Sequence, residues 1–168
     1  ALYIGVVPKA YEQKVADRLA QTIEENNGKL DFGVLGSKTV LRMLSRYGYA
    51  DLAYQMATQE EAPSWGHWIK QGFTTLAETW VLSEFKDASV NHVFLGDINA
   101  WMYQVLAGIN YDEQQPGFKH IIIRPHFVKG LDWVSAEYRS VKGLIKSTWK
   151  RKNNQVILNV QIPLNTTA

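Results

Sequence analysis

The stretch from Pro63 to His92 holds the side chains best suited to chemistry: Glu78 among Trp65, Trp68 and Trp80, with His67 and His92 on either side. A carboxylate set among indole rings is what a general base needs, since partial desolvation raises its basicity while the flat rings position a sugar. The blander reading of the same residues is a surface glutamate or a structural ion pair beside core-filling tryptophans. Other groups offer less. His67 lacks a His-Glu-x-x-His context, so no metal site is expected there, and no cofactor is expected elsewhere. Ser64 has no nucleophile-elbow context, and Gly33 to Ser37 lacks the lysine of a phosphate loop. His120 and His126 flank a β-rich run and read as turn or surface residues, and Glu24-Glu25 and Glu60-Glu61 as solvated helix ends.

These groups must be held by helices. Tyr11, Val15, Leu19 and Ile23 recur every four residues, with Pro8 suited to a first turn and Gly28 as a stop, which predicts an amphipathic helix from Pro8 to about Asn27. A second helix is expected from an N-cap at Ser37 to Gly48 and a third from Tyr49 to about Glu60. A further one is expected from Asp97 to Ala107, closed by Gly108. Closely spaced helices make hairpins.

Beyond Gly108 the pattern turns to strands. His120 to Pro125, Trp133 to Ser140, Leu144 to Lys150 and Gln155 to Ile162 are β-rich, the last alternating Val156, Leu158, Val160 and Ile162 on one face. Asn153-Asn154 supplies a tight turn. The order is therefore α then β, with helical hairpins over 1–112 and an antiparallel β domain over 113–168. The opening Ala1 to Pro8 reads as mid-protein, and a further edge strand is expected after Ile162.

Composition narrows the function classes. An apolar fraction of 46% suffices for a packed core, and the absence of cysteine excludes disulfides, thiolate metal sites and a cysteine nucleophile. Eighteen Lys and Arg against sixteen Asp and Glu, interspersed along the chain, give no basic stripe, so a nucleic-acid partner is not expected; nor is a membrane partner, as no apolar run approaches a bilayer span.

The run Gly72-Phe73-Thr74-Thr75-Leu76-Ala77-Glu78-Thr79-Trp80 resembles the Gly-Ala-Thr-Thr-Ile-Trp-Glu-Arg-Trp signature of the bacterial α-L-rhamnosidases, glycoside hydrolase family 78. Ser89-Val90-Asn91-His92-Val93-Phe94-Leu95-Gly96 is similar to that family's Ser-Leu-Asn-His-Tyr-Ala-Phe-Gly. Ala107-Gly108-Ile109 with Pro116 to Pro125 resembles its junction into a C-terminal β domain, and Gly33 to Ser37 and Tyr47 to Tyr54 fit its last barrel hairpins.

The resemblance implies the closing hairpins of an (α/α)6 glycosidase barrel, followed by an antiparallel β-sandwich-like domain, in a piece of a larger chain. It implies an inverting hydrolase of terminal α-L-rhamnosyl linkages acting on a rhamnose-containing oligosaccharide or glycoside. Glu78 would be the general base, His92 would contact the sugar and Trp80 would shape the pocket, while the general acid lies outside this chain. Ala77 and Thr79 depart from the family's tryptophan and arginine, which alters the wall and the charge beside the base. Two alternatives stand beside this: a non-catalytic carbohydrate-binding or interaction module of the same fold, and an (α/α)6 glycosidase for another sugar. The chain alone is expected to be inactive, and an exposed barrel edge is expected to favour self-association.

Overall fold

The computed structural model describes residues 1–29, 31–81 and 87–168. The chain divides into two compact units, Ala1–Ile98 and Asn99–Ala168.

The first unit is built from helices α1 (Lys9–Glu25), α2 (Val34–Ser37), α3 (Val40–Arg46), α4 (Ala50–Thr58) and α5 (Trp65–Lys70), followed by a 3₁₀ turn over Phe94–Asp97. Pro8 precedes the first residue of α1, where its missing N–H costs nothing. The buried side of α1 is Ala16, Ala20 and Ile23, whereas Tyr11 and Val15 of the expected stripe are 59% and 38% exposed. Ala16 packs with Leu2 and Met43, so the first half of the helix makes its contact through a small residue, and of the large periodic ones Ile23 is the one fully buried.

The helix expected to start at an N-cap on Ser37 is instead two. Ser37 ends α2, is buried, and its hydroxyl donates to the carbonyl of Phe94 at 2.9 Å; α3 begins three residues later. A partner 57 residues away in sequence has claimed the hydroxyl that local chemistry would assign to a cap. The helix from Tyr49 is present as α4, with Tyr49 at its N-cap.

Helix α5 was not expected as an element. Ser64 caps it, accepting from the N–H of His67 at 3.0 Å and donating to the carbonyl of Gln59. Gly66 lies so close to the backbone carbonyls of Thr58 and Gln59 that a Cβ would collide with them, so only glycine lets α5 pack against the end of α4.

The expected helix from Asp97 is present as α6 (Ile98–Trp101), continued by a π turn over Met102–Leu106. In the second unit, β1 (Ile109–Tyr111) pairs antiparallel with β2 (Ile121–Ile123), and β1 itself was not anticipated. A three-stranded antiparallel sheet follows in the order β3 (Trp133–Ser140), β4 (Gly143–Lys152), β5 (Gln155–Gln161). Asn153, at φ 56°, makes the expected turn between β4 and β5. Ala107, Ile109, Ile121 and Ile145 form the core, and Val134 and Ala136 pack against it. The Ser147 hydroxyl donates to the Ala107 carbonyl at 2.6 Å and the Trp149 indole to the Leu106 carbonyl at 2.7 Å, closing the last turn of the π segment onto β4.

Candidate functional site

Two irregular segments carry the residues of interest, and hydrogen bonds zip them together. The N–H of Glu78 donates to the carbonyl of Ser89 at 2.9 Å, and the N–H of His92 to the carbonyl of Leu76 at 2.8 Å. The Thr75 hydroxyl donates to the Val90 carbonyl. Backbone groups outside regular structure still need partners, and here each segment supplies them to the other. Thr75 and Leu76 therefore serve the pairing of two irregular segments, not a helix.

Glu78 takes a further bond from this arrangement. One carboxylate oxygen accepts the backbone N–H of Ser89 at 3.0 Å, which fixes the side chain and leaves the other oxygen uncommitted to that bond. The residue is exposed and lines a cleft of about 450 Å³ with Trp80, Thr79, Phe32, Asp31 and Pro63, among others. The desolvation expected around Glu78 is thus light in this chain; what holds the group is the Ser89 N–H.

Beneath the cleft the indoles pack against one another. The Trp80 ring stacks on Trp68 with centroids 5.0 Å apart, meets Trp65 edge-on at 4.9 Å and meets Phe32 edge-on at 5.4 Å. All three indole N–H groups are spent on backbone carbonyls of surrounding segments: Trp80 on Phe32 at 3.0 Å, Trp65 on Leu95 at 2.9 Å and Trp68 on Trp80 at 3.1 Å. Buried tryptophans usually need such a partner, and here the partners are segments that border the cleft. Trp65 and Trp68 are core residues; Trp80 is 8% exposed and contributes to both core and cleft.

Leu95, in the Phe94–Asp97 turn, also borders the cleft, and three groups hold that turn: the Ser37 hydroxyl, the Trp65 indole, and Arg42, whose guanidinium lies 2.8 Å from the Asp97 carboxylate. His92 lies just before it. Its Nδ1 accepts the N–H of Phe94 at 3.3 Å and its ring stands edge-on to Phe94 at 4.4 Å. A neutral imidazole that accepts at Nδ1 carries its proton on Nε2, so His92 offers one donor. His92 is tied to the Glu78 segment through Leu76 but is not among the residues lining the cleft.

Of the two departures from the signature, only Thr79 faces the cleft; Ala77 has no exposed surface and lies in the core. Asp31 brings a second carboxylate to the lining. The sequence offered no motif for it beyond a place just before Gly33 in a short loop, which is why it went unnoticed. Among the described residues no group of three or more His, Asp or Glu side chains could hold a metal ion.

Known proteins resemble this chain along nearly its whole length. The model of the bacterial alpha-L-rhamnosidase 6 hairpin glycosidase domain matches residues 1–106, and that of the bacterial alpha-L-rhamnosidase C-terminal domain matches residues 108–168. An alpha-L-rhamnosidase of Streptomyces avermitilis is 32% identical, over 99% of this chain and 17% of its own length. One from Formosa agariphila is 33% identical, over 100% of this chain and 19% of its own.

Among solved structures, that of the Streptomyces avermitilis α-L-rhamnosidase complexed with L-rhamnose superposes with a TM-score of 0.91 at 31% identity, over 98% of this chain and 16% of that one. The α-L-rhamnosidase from Dictyoglumus thermophilum gives 0.89 at 32%, over 98% and 19%. The chain therefore spans less than a fifth of the length of these relatives. The expected fold class, six-hairpin glycosidase helices followed by antiparallel β structure, is the one these matches give.

Proposed function

We propose, since this chain belongs to the bacterial α-L-rhamnosidase family, that the protein containing it hydrolyses terminal α-L-rhamnosyl linkages with inversion, using Glu78 as general base. The supporting observation is the placement of Glu78: it lines the cleft beside Trp80 and is clamped by the Ser89 N–H. In the reaction the carboxylate takes a proton from water as the water oxygen bonds to the anomeric carbon. The glycosidic oxygen leaves toward the opposite face and receives a proton from a general acid. In inverting glycosidases the two carboxyl groups stand about 6.5–9.5 Å apart, leaving room for that water.

The acid belongs to residues outside this chain, so the isolated chain is proposed to be inactive. Trp80 supports the floor on which the sugar sits. His92, which does not border the cleft itself, offers Nε2 to a hydroxyl of a sugar that extends past the Glu78 segment. For the boundary between catalytic helices and β domain we propose about residue 112, just past β1.

Glu78→Gln in the protein containing this chain tests the reading. Release of rhamnose from an aryl α-L-rhamnoside falls by about 10²–10⁴-fold with KM little changed, the effect of losing one general catalyst. Unchanged turnover would remove Glu78 from the mechanism. Thr79 in place of the signature's arginine favours a second reading, a carbohydrate-binding module that no longer turns over; rhamnoside binding without release of rhamnose identifies it.

Tyr11 and Val15 leave an apolar strip on α1, which a second copy of the isolated chain would cover. A monodisperse monomer in light scattering would exclude that self-association.

A further inference from the structure

The near-neutral total charge hides an uneven division. Ala1–Ile98 carries nine Lys and Arg against twelve Asp and Glu, whereas Asn99–Ala168 carries nine against four, a surplus of five positive charges. The interspersion read along the sequence is thus a property of the whole chain and not of its second unit.

Part of that surplus stands on one side of the three-stranded sheet. Residues paired across an antiparallel ladder share a face, and successive residues alternate between faces. Trp133, Lys150 and Ile157 therefore form one row across the outer face, and Ser135, Thr148 and Asn159 form the next. The alternate residues Val134 and Ala136 pack against the core, which identifies the other face as the inner one. Arg139, Lys146, Lys150 and Lys152 share the outer face with a single acid, Glu137, which is engaged by Lys146. Arg151 points inward and donates to the carbonyls of Phe127 and Val128.

Trp133 is 66% exposed on this face. An indole on a flat surface beside hydroxyl and amide side chains suits the C–H face of a pyranose, and an ammonium directly across the strand pair suits a carboxylate on that ring. A sugar polymer bearing acidic groups meets both demands. Duplex nucleic acid fits less well: typical sites neutralise about 6–10 phosphates, and this face offers four cations and one acid.

We infer that the outer face of β3, β4 and β5 is a second carbohydrate-binding surface, one that takes a uronate-bearing polysaccharide chain across Trp133 and Lys150. The surface lies wholly within Asn99–Ala168 and does not depend on Glu78 being catalytic.

The test is affinity electrophoresis of the full chain in gels containing polygalacturonate, neutral dextran or duplex DNA. Polygalacturonate retards the protein and dextran does not. Trp133→Ala raises the apparent Kd at least about tenfold while Trp133→Tyr stays within about threefold, because the ring and not the indole nitrogen carries the contact. Lys150→Gln weakens binding about threefold and flattens its salt dependence, whereas Lys9→Gln, which removes the same charge from the other unit, leaves it unchanged. The inference is overturned by any of four results: no retardation by polygalacturonate, equal retardation by DNA, unaltered binding by Trp133→Ala, or equal losses in the two lysine variants.

Discussion

The helical unit around Glu78 and the three-stranded sheet solve the same problem, satisfying backbone polar groups, in opposite ways. In the sheet the ladder does it, residue by residue, and side chains are left to pack. Around the cleft the work falls to side chains and to irregular backbone: Ser37, Ser64, Thr75 and three indoles each bond a carbonyl that no regular element would reach. Regular pairing tolerates change at most positions. A site assembled from single bonds depends on each of them.

Four measurements press on this contrast. The largest effect is expected in the sheet, at a position where it too relies on a side chain. Trp149→Ala empties a 2% exposed core position and orphans the Leu106 carbonyl, which should lower stability by about 3–5 kcal/mol in urea unfolding. A loss below about 1 kcal/mol would mean that the ladder alone suffices.

Next is Ala77→Trp, which restores the signature residue. Because Ala77 is fully buried, the added volume should cost about 1–3 kcal/mol through overpacking. If stability is kept and the new indole quenches on binding rhamnose, residue 77 belongs to the cleft wall after all.

Ser64→Ala removes the cap of α5 and should cost about 1 kcal/mol, with faster amide exchange confined to Trp65–Lys70. Exchange unchanged in that segment would show that packing against α4 holds the helix without its cap.

The smallest effect is pH dependence in the sheet unit. Burial, and then the neighbouring Arg124, hold the His126 pKa below its usual 6.5. The fold therefore prefers the neutral ring: the stabilisation is complete above about 6.5 and is lost as pH falls through the lower folded value. Unfolding midpoints of the wild type should drop over that interval relative to His126→Gln, and parallel curves would remove His126 from the account.

What the sequence disclosed follows the same division. Alternation over Val156, Leu158 and Val160 placed β5 correctly because a strand's period is local information, although these side chains remain partly exposed in this chain. Helix α5 was missed because its pattern is set by a cap and a glycine contact within six residues, too short for periodicity to register. Ser37 misled for the converse reason: its local chemistry says cap, and a distant carbonyl overrules it. Glu78 and Trp80 are legible through a motif, and the structure brings them together in one cleft; Asp31 carries no motif, and only the fold brings it to the lining.

The bonds from Ser147 and Trp149 to the carbonyls of Ala107 and Leu106 bridge 40 and 43 residues of chain. A ribosome adding residues in order delivers those carbonyls long before their donors. During synthesis the turn after Met102 has to wait with water as its partner, and it locks only when β4 emerges, so the last helical segment is finished by the sheet that follows it.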